Sequence, residues 1–98
     1  MSNQDTARSS TGSRILLDNA RVRVFERRIR AGEKTRMHSH PDHVIYGLKD
    51  SRTKYIYPDG TEKIIELKTG DVIFKQAETH IAKLISPKES LDILIELK

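Results

Sequence analysis

The residues best equipped for chemistry in this chain are its four histidines. Three of them, His38, His40 and His43, fall within Met37-His38-Ser39-His40-Pro41-Asp42-His43, and the fourth, His80, stands far downstream in Glu78-Thr79-His80-Ile81. Neutral imidazoles gathered in this way can ligate a divalent metal ion. On a β-strand, His38 and His40 share a face, roughly 6.6 Å apart along the backbone. From there both rings can lean onto one ion with bonds of about 2.0–2.1 Å. On a helix the same side chains would diverge by about 200°. Pro41 restricts His40 to extended geometry, Pro41-Asp42 suits a turn, and His43 opens the returning run Val44-Ile45-Tyr46-Gly47-Leu48. If His80 returns in space to the other three, the pattern describes a mononuclear metal site in a small β-structure. The duller alternative is a set of polar surface histidines beside a proline, which the triplet and the distant strand-start histidine together outweigh.

Ninety-eight residues make one domain with a modest core. Only 5% are aromatic, so Ile, Leu and Val must fill that core, which favours strands. Cysteine is absent, which excludes disulfides, zinc ribbons and thiol catalysis. No apolar stretch reaches the ~20 residues of a membrane span, and no leader pattern opens the chain; the expectation is a cytoplasmic protein without a membrane partner. The net charge of +4 is spread along the chain, as on an ordinary soluble surface.

Residues 1–13 are polar and read as a flexible arm, leaving 14–98 as a single domain. Strands are expected at Arg14–Leu17, Arg21–Arg30, Lys34–His40, His43–Leu48, Thr53–Tyr57, Glu62–Leu67, Val72–Phe74, Ile81–Ile85 and Leu91–Leu97, separated by turn residues every eight to twelve positions. Pro58-Asp59-Gly60-Thr61 is the strongest hairpin signal. In the second strand Val22 and Val24 are expected inward and Arg21 and Arg23 outward, with a phase slip at Phe25 that marks a bulge. The arginines there could form a nucleic-acid stripe, but no interleaved aromatics supply stacking platforms, so a solvated outer face is expected and nucleic acid is not. In the last strand Leu91, Ile93, Ile95 and Leu97 share one face and Leu94 lies on the other between Asp92 and Glu96. That partly apolar second face hints at a subunit contact. The spacing as a whole reads as an antiparallel sandwich or barrel.

With these residues in place, the chain resembles a small single-domain cupin, an all-β antiparallel jelly-roll β-barrel, over roughly Val22 to Leu97. Gly32, His38 and His40 match the first cupin motif, in which a glutamate follows His-x-His; here His43 takes the glutamate's place. Gly70 and His80 match the second motif, although Gln76, Glu78 and Leu84 replace its proline, second glycine and asparagine, and His80 arrives one residue early. The resemblance implies a four-histidine site of His38, His40, His43 and His80 holding one divalent ion per chain, be it Fe, Mn, Ni, Zn or Cu. Imidazole ligands do not choose among these. Replacing the carboxylate with imidazole leaves the ion's charge uncompensated, so an anion or anionic small molecule is expected at any open position. Glu78 is either a carboxylate ligand or base, or a solvated loop residue. The family also implies a homodimer.

Two functions follow. One is a metal-dependent enzyme of the dioxygenase type, with Tyr46 and Tyr55 as substrate contacts and Lys75 and Arg36 attracting the anion. The other is a binding or sensing module that holds a metal or small ligand without turnover.

Overall fold

The computed structural model describes residues 11–98. Of the arm expected over residues 1–13, residues 1–10 lie outside the described residues, while Gly12 and Ser13 already belong to the first strand. Nine strands follow the expected order: β1 (Gly12–Asp18), β2 (Val22–Ile29), β3 (His38–His40), β4 (His43–Gly47), β5 (Ser51–Ile56), β6 (Glu62–Leu67), β7 (Val72–Lys75), β8 (Glu78–Leu84) and β9 (Ser90–Leu97). They form a five-stranded sheet in the order β1-β2-β9-β4-β7 and a four-stranded sheet in the order β3-β8-β5-β6. Every pairing is antiparallel. No helix among the described residues is long and apolar enough to cross a membrane.

The turns are where the sequence places them. Gly60 carries φ of 87° between β5 and β6, a left-handed conformation open to glycine at no steric cost. Its N–H donates to the Tyr57 carbonyl, and Asp59 accepts from the Thr61 N–H and hydroxyl. Gly47 serves close approach instead: a Cβ there would lie 2.9 Å from Leu67.

The core divides into two clusters. Phe25, Ile45, Leu67 and Leu94 form one, with Ile73 against it; Ile29, Tyr55, Ala82 and Leu84 form the other, with Tyr57 and Ile65 against it. Phe25, Leu94, Ile45 and Ile73 are successive register partners across β2, β9, β4 and β7, so one inward row crosses the sheet.

This row corrects the facing read from the sequence. In β2 it is Phe25 and Ile29 that turn inward, Val22 and Val24 lie on the outer face, and no slip occurs at Phe25. The register irregularity falls in β1, between Ile15 and Leu17. In β9 the inward set is Ser90, Asp92, Leu94 and Glu96, and the aliphatic residues Leu91, Ile93, Ile95 and Leu97 face out. Polar inward residues are tolerated because they are paired. Arg27 sits in the interior with Asp92, making bonds of 2.9 and 3.1 Å to its two carboxylate oxygens. The Asp92 charge holds the guanidinium pKa above its usual value against the cost of burial. Arg27 is therefore no part of a solvated outer strand face.

Candidate metal centre

The site is built from the shortest strand, β3, and its neighbour β8. In β3, His38 is the direct register partner of His80 in β8, and His40 pairs with Glu78. Alternation puts His38 and His40 on one side of β3, so three rings converge from two adjacent strands. The His38 and His40 rings are 4.7 Å apart, His38 and His80 4.9 Å, and His40 and His80 5.6 Å between centroids. One ligand atom from each of these three histidines lies within 4.8 Å of the others. Tetrahedral bonds of about 2.0–2.1 Å set donor nitrogens about 3.4 Å apart, so small ring rotations suffice to bring these together.

Every imidazole is anchored through Nδ1. His38 Nδ1 lies 2.7 Å from the Arg36 carbonyl and 3.3 Å from Thr35 Oγ1. His40 Nδ1 lies 2.7 Å from Glu96 Oε2, and His80 Nδ1 lies 2.5 Å from Glu78 Oε2. His43 Nδ1 meets the Pro41 carbonyl at 2.7 Å. An imidazole that donates through Nδ1 presents its Nε2 lone pair to an ion, the arrangement found around metal-ligating histidines. Consistent with this, three buried side-chain nitrogens among the described residues lack a hydrogen-bond partner: Nε2 of His40, Nε2 of His80 and Nε of Arg28. Two orphaned acceptors in a 4.8 Å cluster are costly unless something electrophilic fills the space between them. The donor set thus fits a divalent ion.

Electrostatics favour the ligating form. Burial lowers the His80 pKa to about 4, despite the pull of Glu78 in the opposite direction. Burial also lowers His40 and His43, opposed by the Glu96 carboxylate and the Pro41 carbonyl respectively. These rings are neutral at neutral pH and need lose no proton to ligate.

His43 stands beside the cluster and not within it. It is 1% exposed, in β4 of the opposite sheet, with its ring 5.1 Å from that of His40. Among the described residues, the set whose donors share 4.8 Å is His38, His40 and His80. Glu78, read from the sequence as a ligand, a base or a loop residue, orients His80. Its pKa is low because the hydrogen bonds from Lys75 and His80 outweigh its burial. Tyr55 stacks on His80 with centroids 4.3 Å apart and planes 3° from parallel, and the Lys75 ammonium sits 4.1 Å above the Tyr55 ring. Lys75 is also paired with Glu78 at 3.1 Å. Tyr46 is on the outer face of the sheet, in register with Ile93 and Val72, away from the histidines. Glu96, which holds His40, was missed in the sequence; its inward place in step with Asp92 and Leu94 was the available signal.

No family model and no curated protein matches the chain. Solved structures do. A cupin domain from Bordetella pertussis Tohama I is 26% identical over 90% of this chain and 93% of its own, with a TM-score of 0.81. A cupin superfamily protein from Desulfitobacterium hafniense DCB-2 is 18% identical over 90% of this chain and 77% of its own, at 0.66. The polyketide cyclase RemF from Streptomyces resistomycificus is 23% identical over 87% of this chain and 63% of its own, at 0.65. The two sheets, the strand order and these likenesses together give a small all-β domain with the double-stranded β-helix fold of the cupin superfamily.

Proposed function

We propose that this chain is a metal-dependent cupin enzyme in which His38, His40 and His80 hold one divalent ion and a small organic molecule reacts at its open side, with dioxygenase-type chemistry the first activity to seek. The observation that supports it best is the pair of buried, unpartnered Nε2 atoms on His40 and His80, with Nδ1 anchored in both. An ion bound here supplies Lewis acidity and, for Fe, Mn, Ni or Cu, redox chemistry. The chain's own residues do the positioning. Glu96 and Glu78 fix two rings, Tyr55 backs the His80 ring, and Thr35 with the Arg36 carbonyl fixes His38. We assign His43 a place beside the ion and not a bond with it. That a neighbour in fold space is a polyketide cyclase supports an enzyme without naming the reaction.

Elemental analysis of untagged protein tests the site, with about one divalent ion per chain expected. His40→Ala should lose the ion and His43→Ala should keep it; full occupancy in His40→Ala defeats the assignment. Oxygen-uptake and substrate screens of Fe, Mn, Ni, Cu and Zn forms test turnover. One observation favours a second reading, a binding or sensing module. The two carboxylates nearest the cluster, Glu78 and Glu96, are both engaged by histidine Nδ1, so neither is a free acid or base. A fully loaded protein inert with every metal and substrate would select that reading.

A further inference from the structure

Where the β1–β2 edge of one sheet faces β3 at the edge of the other, the barrel opens into a cavity of about 610 Å³ that reaches His38 and His40. This lies within the range of small-molecule sites, about 300–1,000 Å³. Phe25, Ile29 and Met37 give it apolar walls. Its lining holds four cationic side chains, Arg27, Arg28, Lys34 and Arg36, and no carboxylate. Arg27 and Arg28 are spent on Asp92 and Glu89. Lys34 and Arg36 have no ion-pair partner among the described residues, and both are exposed to an entering solute. The same lining includes His40, 8% exposed, whose Nε2 is unpartnered.

We propose that this cavity binds a small organic carboxylate, its apolar body against Phe25, Ile29 and Met37 and its charge drawn by Lys34 and Arg36. The proposal rests on the metal-centre reading only for the reactive end of the ligand; the walls and cations are features of the chain itself. Ligation by neutral imidazoles alone would leave an ion's full charge in place, which adds to the attraction for an anion.

Benzoate and its neutral isostere benzamide, titrated into metal-free and zinc-loaded protein and followed by amide chemical shifts, provide the test. Benzoate should perturb Lys34, Arg36, His38 and His40 in both forms, and bind at least tenfold more tightly than benzamide. The K34Q/R36Q double variant should lose about tenfold in benzoate affinity and nothing for benzamide. Both residues are exposed, so the fold should survive, and raising the salt concentration gives the same test without a variant. Equal affinity for the two probes, or an unchanged double variant, overturns the proposal. Zinc taken up with benzoate rejected sinks this proposal alone. Zinc refused while the metal-free chain binds benzoate at these residues upholds it and sinks the metal centre.

Discussion

Replacing Glu78 with glutamine isolates the carboxylate that steers His80. The carboxylate lies 2.5 Å from His80 Nδ1 and is only partly exposed, so the bond is short, charged and shielded. Charge-assisted bonds of this kind contribute about 1.5–3 kcal/mol, roughly twice a neutral one. Glutamine keeps the acceptor and removes the charge, so about half should be lost when the metal polarises the ring. That is about 0.8–1.5 kcal/mol, or about four- to tenfold in the zinc dissociation constant. Alanine, which removes the acceptor as well, should cost nearer 100-fold, the upper end for such supporting residues. Proton competition does not confuse the reading. Glu78 holds the His80 pKa up, so its loss lowers a value that is already about 4, and the ring is neutral at pH 7 in both proteins. Competition against a chromophoric zinc chelator at pH 7 measures the ratio. Glu66→Gln is the control, because Glu66 lies on β6, half exposed, with Arg52 and Lys68 as its partners. If Glu78→Gln and Glu66→Gln match the parent equally, Glu78 does not steer His80 and the Nδ1 argument for the site fails.

Acid should weaken the metal-free fold. A His80 pKa of about 4, against 6.5 unfolded, means the unfolded chain takes up the proton first, so stability is complete above pH 6.5 and drains as pH falls towards 4. The loss approaches about 3 kcal/mol, and urea midpoints in chelator at pH 7, 5.5 and 4.5 should fall in that order; a flat series rejects it. Leu94→Ala, at a position with no exposure, should cost about 2–5 kcal/mol in denaturant unfolding, well above the cost of Ile95→Ala on the outer face. Arg27→Met should cost about 3–5 kcal/mol by stranding the Asp92 charge, while Arg27→Met with Asp92→Leu should recover most of it; no recovery would mean the pair is not the source of the cost.

The nine strands were legible because their boundaries carry turn chemistry that acts locally, as at Pro58–Thr61 and Lys68–Asp71. The pairing of His38 with His40 was legible for the same local reason, the period of a strand. Facing was harder. Val22, Val24, Ile93 and Ile95 look like a core on hydrophobicity alone, yet the register puts them outside and Arg27 inside. Alternation states that two faces differ but not which is inner when both carry aliphatic residues, and a buried ion pair reverses the usual sign. Phe25 and Leu94, register partners in the inner row, settle it. The separation of His43 from the other histidines depends on which sheet its strand joins, and that is decided by pairing with β9 and β7, far along the chain. The roles of Glu96 and Glu78 depend on the same long-range ladders.

β3 is three residues long, lies at the edge of its sheet and, among the described residues, has β8 as its sole ladder partner there. Two donors of the cluster sit on it and the third sits across the ladder. An ion held by all three would act as a removable stitch along a hem that otherwise frays. The backbone amides of β3 that bond across to β8 would then trade hydrogen for deuterium at an edge-strand pace in the stripped chain and at a much slower pace in the loaded one. Deuterium uptake at those few amides would thus serve as an occupancy gauge.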